Sequence, residues 1–228
     1  MTDVRSEAGA AGSDQPVGDP RAIVVNHPLA VHRLSGLRDV NTDSPTFRQL
    51  VTELSAFVAY EALRDLVTVD RQVDTPVASG VWCRRVEEMV LLVPVLRAGL
   101  GMVPAIQGVL PATEVAHVGL RRDETTLQAD VYLNRLPVDL SGRRVVVCDP
   151  MLATGGSLAQ VCTMVKERNA SSVTVLSLIA SVPGLAFFRT VHGDVDVACV
   201  AVDPELDERG FIIPGLGDAG DRLFGPPD

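Results

Sequence analysis

The chain has 228 residues, 46% of them hydrophobic, enough to bury one full core with or without a small cap. Its 29 acidic against 20 basic residues give a formal charge of −9, which excludes a protein held on nucleic acid by general electrostatics. No apolar run reaches bilayer length, so a membrane protein is excluded as well.

Residues 1–20 are rich in Gly, Ala, Ser, Asp and Pro without a period and predict a disordered leader; a single domain is expected over 21–228. The fold starts near Ala22. Ser44-Pro45 reads as the N-cap and first turn of a long amphipathic helix carrying Phe47, Leu50, Val51, Leu54, Phe57, Val58 and Leu66, a length suited to a scaffold or subunit contact. Strand-like runs follow at 90–96, 115–120, 145–148, 173–179 and 195–202, several apolar at every position as strands buried on both faces are. Helical segments lie between most of them, near 99–108, 157–168 and 185–191. This alternation predicts an α/β fold, a doubly wound and mostly parallel sheet whose ligands bind beyond the carboxyl ends of the strands. Residues 121–137, polar and alternating around Asp130-Val131-Tyr132-Leu133, predict a β-hairpin protruding as an arm.

The most informative stretch runs from Asp149 through Pro150, Met151, Leu152, Ala153, Thr154, Gly155 and Gly156 to Ser157. An apolar strand delivers Asp149 to its carboxyl end, small residues let backbone N–H groups converge, and a helix begins at about Ser157. Leu158, Val161, Cys162 and Val165 give that helix one apolar face. Its unpaired N–H groups and partial positive charge favour a bound phosphate, with the Asp149 carboxylate turned to sugar hydroxyls. An ordinary strand-to-helix turn would need only the glycines. No Gly-Lys-Ser/Thr follows, so the loop is not a Walker loop.

Arg97, between small neighbours and followed by Gly99 and Gly101, ends another apolar strand, where its guanidinium could pair with diphosphate oxygens. A surface ion pair is the plainer role for any single arginine. The glycines at 215, 217 and 220 match Gly-x-Gly-x-x-Gly, yet only eight residues follow, too few for a dinucleotide-binding crossover. A turn presenting backbone groups and Asp218 to a planar base is the better reading. The four histidines form no ligand cluster, and structural or surface roles are expected for all of them. The cysteines at 83, 148, 162 and 199 contain no Cys-x-x-Cys pair and no signal segment opens the chain, so reduced, mostly buried thiols in a cytoplasmic protein are expected.

Three segments in this order, 96–102, 149–157 and 212–221, resemble the uracil phosphoribosyltransferase family, and the likeness runs from about His27 to Gly225. The resemblance implies transfer of the phosphoribosyl group of 5-phospho-α-D-ribose 1-diphosphate (the donor) to uracil, giving UMP and diphosphate. It implies a phosphoribosyltransferase core with a small hood and a hairpin arm, assembled as dimers or tetramers. Mg²⁺ would accompany the donor diphosphate rather than sit on protein ligands alone, and GTP activates some members. Arg97 and Arg122 would contact the donor, with Asp149 to Ser157 holding its ribose phosphate. Ile212, Gly217, Asp218 and Ala219 would line the uracil site, with Asp218 also near the donor, and Asp149, Asp218 and Arg97 would carry catalysis. The chain departs from the family pattern at Phe211 for tyrosine, Asp207 for asparagine, Arg121 for tyrosine, Thr125 for glutamate, and in Ser181-Val182-Pro183-Gly184. A regulator that keeps the pocket but senses ligand or RNA is the alternative, and the absence of a basic stripe speaks against RNA.

Overall fold

A computed structural model describes residues 21–122 and 129–226, with the side chains of residues 122 and 129 excepted. The leader expected over 1–20, the tip of the 121–137 hairpin and Thr125 lie outside the described residues. The chain enters as an edge strand, β1 (Ala22–Val24), followed by α1 (Pro28–Arg38) and α2 (Ser44–Ala62). The ring of His27 accepts the Leu29 N–H at 3.2 Å and caps α1, with Pro28 in its first turn. The cap of α2 is Asp43, not Ser44. Its carboxylate accepts the Thr46 N–H at 2.9 Å, and the hydrogen bonds from Thr46 hold its pKa below the ordinary value. Ser44 and Pro45 form the first turn, and Leu66 lies beyond the end of α2.

Next comes an antiparallel hairpin that the sequence reading missed, β2 (Thr68–Val73) with β3 (Val81–Val86), whose strands pair only with each other. Then β4 (Met89–Leu96) enters the main sheet. A 3₁₀ turn, Ala98–Met102, and α3 (Val103–Val109) lead to β5 (Glu114–Val115) and β6 (Val118–Arg122). The hairpin expected at 121–137 is present as β6 with β7 (Ala129–Asn134), and it extends the main sheet at its edge. The chain continues through β8 (Arg143–Cys148), β9 (Met151–Leu152), α4 (Gly156–Lys166), β10 (Ser172–Leu176), β11 (Ile179–Ser181) and α5 (Val182–Val191). It closes with β12 (Asp196–Cys199), β13 (Ala201–Asp203), β14 (Glu205–Leu206), β15 (Ile212–Ile213) and α6 (Ala219–Phe224).

The main sheet has the order β1-β12-β10-β8-β4-β6-β7, parallel except for β7, with β5 also paired to β4. Successive side chains of its central strands go to opposite faces. Leu92, Val146, Cys148 and Ala198 join the core under α1, α2 and α3, while Leu91, Val93, Val145, Val147 and Val197 join the core under α4 and α5. Two filled faces explain why these strands read as continuous apolar runs, and they make the sheet doubly wound. From β4 the chain crosses to β6 on one side, and the later strands fill in on the other. The order therefore reverses at the β4–β8 boundary, where ligands of open α/β sheets bind.

At the amino end of β8, Arg144 is 8% exposed and forks onto Asp65 at 2.7 and 2.9 Å while reaching Glu88 at 2.9 Å. Removing the cation leaves the largely covered Glu88 carboxylate with no counter-charge from Arg144 and only the Val67 N–H, at 3.2 Å, as a donor. Arg144→Met is expected to lower unfolding stability by roughly 2–3 kcal/mol in urea titration. Substrate KM values should stay unchanged, because the pair lies at the opposite end of the strand from the loops described next.

Candidate functional site

Two loops leave the carboxyl ends of the neighbouring strands β4 and β8. Arg97 follows β4, Asp149 follows β8, and the register sets Pro94 beside Cys148. Gly99 allows the two loops to touch, since a Cβ there would lie 2.3 Å from the Cys148 carbonyl oxygen. The Leu96–Arg97 peptide is cis.

Residues Asp149, Met151, Leu152, Ala153, Thr154, Gly155, Ser157 and Leu158 line a cavity of about 50 Å³ at the start of α4. Gly155 occupies the N-cap with φ +80 and supplies no side-chain cap, so the first-turn N–H groups of α4 face this cavity without one. Pro150 does not line the cavity. Its carbonyl oxygen accepts the N–H groups of Leu178 and Ile179, at 2.9 and 3.1 Å, which ties the loop to β11. Leu152 is fully buried in the core, and the helix starts at Gly156, one residue before its expected position.

Asp149 is half-buried, and one of its oxygens accepts the Met151 N–H at 3.3 Å. Desolvation pushes its carboxyl up to about 7, the nearby Asp218 charge adds to the rise, and the Met151 N–H opposes it. Asp218, in the C-terminal segment, thus lies within electrostatic reach of Asp149. It also caps α6, accepting the Asp221 N–H at 2.9 Å, so it has a structural duty beside any chemical one. Arg97 is exposed and pairs with Asp221 at 3.2 Å, a partner that the sequence reading did not single out.

Within the expected base segment, Gly217 (φ +76) and Asp218 are exposed, whereas Ile212 and Ala219 are buried and anchor the turn in the core. Asp207, one of the departures, accepts the N–H groups of Arg209 and Phe211 at 2.9 and 2.7 Å and closes the turn before this segment. Phe211 is half-buried with the Arg209 guanidinium 4.9 Å above its ring. Arg122 ends β6 in register with Ala129, and its side chain is outside the described residues.

The departure at 181–184 is a support for the cradle. Ser181 donates to the Ala153 carbonyl at 2.6 Å and accepts the Gly184 N–H at 2.8 Å, capping α5 in the same move. His192 joins α4 to α5 through Thr163 Oγ at 3.0 Å and the Ala159 carbonyl at 2.8 Å.

Three segments distant in sequence therefore converge at one sheet switch point: a phosphate-sized cradle with a perturbed carboxyl, an exposed arginine and a glycine-rich turn. The family model described as uracil phosphoribosyltransferase matches residues 24–226. The chain belongs to the uracil phosphoribosyltransferase family. The uracil phosphoribosyltransferase of Kineococcus radiotolerans is 52% identical over 208 residues, covering 90% of this chain and 99% of that one. That of Clostridium beijerinckii is 46% identical over 205 residues, covering 90% and 98%. A solved structure of a protein from Aquifex aeolicus superposes with a TM-score of 0.85 at 34% identity, covering 90% of this chain and 98% of that one. The uracil phosphoribosyltransferase match thus spans the Arg97 loop, the Asp149 loop and the C-terminal turn together.

The described cysteines are all free, with Cys148, Cys162 and Cys199 buried and Cys83 exposed. Burial pushes the Cys162 and Cys199 thiols up to about 12, which keeps them unreactive. Among the described residues, no helix is long and apolar enough to cross a membrane.

Proposed function

We propose that this protein transfers the 5-phosphoribosyl group from 5-phospho-α-D-ribose 1-diphosphate to uracil, releasing UMP and diphosphate. The observation that carries this reading is the meeting of the Asp149 cradle, Arg97 and the 212–221 turn at the switch point of the sheet. The α4 N-terminus and residues 151–157 hold the ribose 5-phosphate, and Asp149 accepts the ribose hydroxyls. Arg97 leaves Asp221 for the diphosphate, joined by Arg122. A guanidinium 49% exposed exchanges partners at little cost. Ile212, Gly217, Asp218 and Ala219 form the base site. Backbone N–H groups opposite uracil O4 reject cytosine, whose amino group would set donor against donor.

No protein nucleophile is required. Uracil displaces diphosphate directly at the anomeric carbon, with inversion, and Asp149 and Asp218 stabilise the positive charge that develops on the sugar. Mg²⁺ would fit this donor set, because the Asp149 and Asp218 carboxylates offer hard oxygens and repel each other, so a cation held near them would lower that repulsion. Among the described residues there is no group of three His, Cys, Asp or Glu that could hold a metal ion, and the donor diphosphate would supply the remaining ligands. It supplies charge neutralisation to the leaving diphosphate. Activation by GTP, assembly as a dimer or tetramer and a cytoplasmic location belong to the same proposal.

Labelled uracil with donor and Mg²⁺ is expected to yield labelled UMP, and Arg97→Ala should raise the donor KM about tenfold, the worth of one exposed charge-assisted contact. Running the assay with and without GTP, beside sedimentation of the same sample, reads regulation and assembly. No UMP at any Mg²⁺ or GTP concentration would sink the proposal.

A further inference from the structure

Gly215 lies inside the proposed base turn, and both of its backbone polar groups are taken by one pair of side chains. Its N–H donates to Asp203 Oδ2 at 3.0 Å, and its carbonyl oxygen accepts from Arg38 Nη1 at 2.8 Å. Arg38 and Asp203 also bind each other through both carboxylate oxygens, at 2.7 and 2.6 Å. Arg38 is the last residue of α1, and Asp203, 4% exposed, is the last of β13. The closed ring therefore joins the end of α1, the end of β13 and the base turn.

We infer that Arg38 and Asp203 are positioning residues for the base: they set the height and tilt of the turn that presents Gly217 and Asp218. The inference rests on reading that turn as the uracil site. Its geometry leaves no slack at this point, because Gly215 is held at φ +59 and a Cβ there would lie 2.1 Å from the Ile212 carbonyl oxygen. A pair that served only to join α1 to β13 would be satisfied by its own two bonds. Here one guanidinium N–H group and one carboxylate oxygen also reach a single residue of the turn. The planar fork matters, since a lysine offers one ammonium and cannot bridge two carboxylate oxygens and a carbonyl in fixed geometry. Neither residue reaches the cradle at 149–157 by any hydrogen bond among the described residues, so donor binding should depend on them less than uracil binding does, through Asp218.

The test is steady-state kinetics of Arg38→Lys and Asp203→Asn, varying uracil at saturating donor and donor at saturating uracil. The uracil KM is expected to rise about 10–100-fold, the scale of a turn misplaced by roughly 1 Å, with the donor KM, which the turn reaches through Asp218, rising at least threefold less. A cavity of about 660 Å³, lined by Arg38, Asp203 and Pro214 among others, adjoins the pair. Guanidinium ion added to Arg38→Ala is therefore expected to lower the uracil KM again, and ammonium ion is not. Equal rises in both KM values, or an unchanged uracil KM with a lowered Tm, would overturn the inference. Loss of fold in Arg38→Lys and Asp203→Asn alike would overturn it too, by making the pair a support of the whole fold. Wild-type protein that makes no UMP would sink the uracil reading and this inference with it, whereas active wild type with unaltered variants would sink this inference alone.

Discussion

Gly184→Ala is expected to remove donor turnover almost completely. A Cβ at Gly184 would sit 1.9 Å from the Ala153 carbonyl oxygen, 2.8 Å from its carbon and 2.9 Å from Leu152 Cδ2, so backbone rather than a flexible side-chain tip blocks it. The contact is reciprocal: a Cβ on Gly155 would meet the Gly184 carbonyl oxygen at 2.6 Å. The first turn of α5 and the cradle loop are thus packed main chain to main chain, with Ser181 Oγ bonded to both sides. An added methyl group forces the loop away by roughly 1 Å, because a close-packed interior has no room to absorb it. Overpacking of this kind costs about 1–3 kcal/mol, or roughly 2–10 °C of Tm for a chain of this size. The catalytic loss is larger, since a misplacement of about 1 Å costs on the order of 10²-fold and here it strikes all the N–H groups of the cradle together. Steady-state assays should show kcat/KM for the donor down by about 10²-fold or more, with a folded protein by circular dichroism. Ser181→Ala, which deletes two bonds and adds no bulk, should lose roughly tenfold. A Gly184→Ala enzyme with the wild-type donor KM would show that the loop has slack.

The parts of the molecule legible in its sequence are those whose signal is local. Val145-Val146-Val147 reads as a strand because both faces are filled, and Asp149 to Ser157 reads as a cradle because an apolar strand, glycines and an amphipathic helix succeed one another within about twenty residues. The β2–β3 hairpin was missed for the opposite reason. Nearly every residue in it is exposed, Trp82 at 68% among them, so no buried face imposes a period of two. The first helix was hidden because Leu29 and Val31 are exposed beside the buried Ala30, Leu34 and Leu37, which blurs the apolar stripe. The sequence points to Ser44 as the cap where Asp43 serves, since both residue types can accept a first-turn N–H and only the backbone decides between them. The supports of the site were out of reach: Arg38 and Gly215 are 177 positions apart, and Ser181 and Ala153 are 28 apart. A positioning residue is defined by its distant partner, and a single sequence does not print that partner.

A rise in kcat/KM for the donor of about tenfold per pH unit below roughly pH 7, levelling above it, is the expected signature of Asp149. Desolvation holds its carboxyl at about 7, with the Asp218 charge adding to the rise, against an ordinary value of 3.8. Between those two values the folded protein keeps a proton that the unfolded chain has lost. Asp149 therefore contributes stability that is present at acid pH and is lost as pH rises through about 7. With Asp149 in its proposed role, donor binding runs the other way, because ribose hydroxyls would donate to the carboxylate and the proton must leave. The donor should accordingly raise Tm more at pH 8 than at pH 5.5. Asp149→Asn separates the two effects, since the amide cannot ionise. Its apoprotein should be no less stable than wild type at pH 8, the acid limb of the rate profile should vanish, and kcat/KM should fall roughly 10²–10³-fold, the worth of one or two hydrogen bonds to a charged group. An Asp149→Asn enzyme that keeps the acid limb would assign it to another group facing the site.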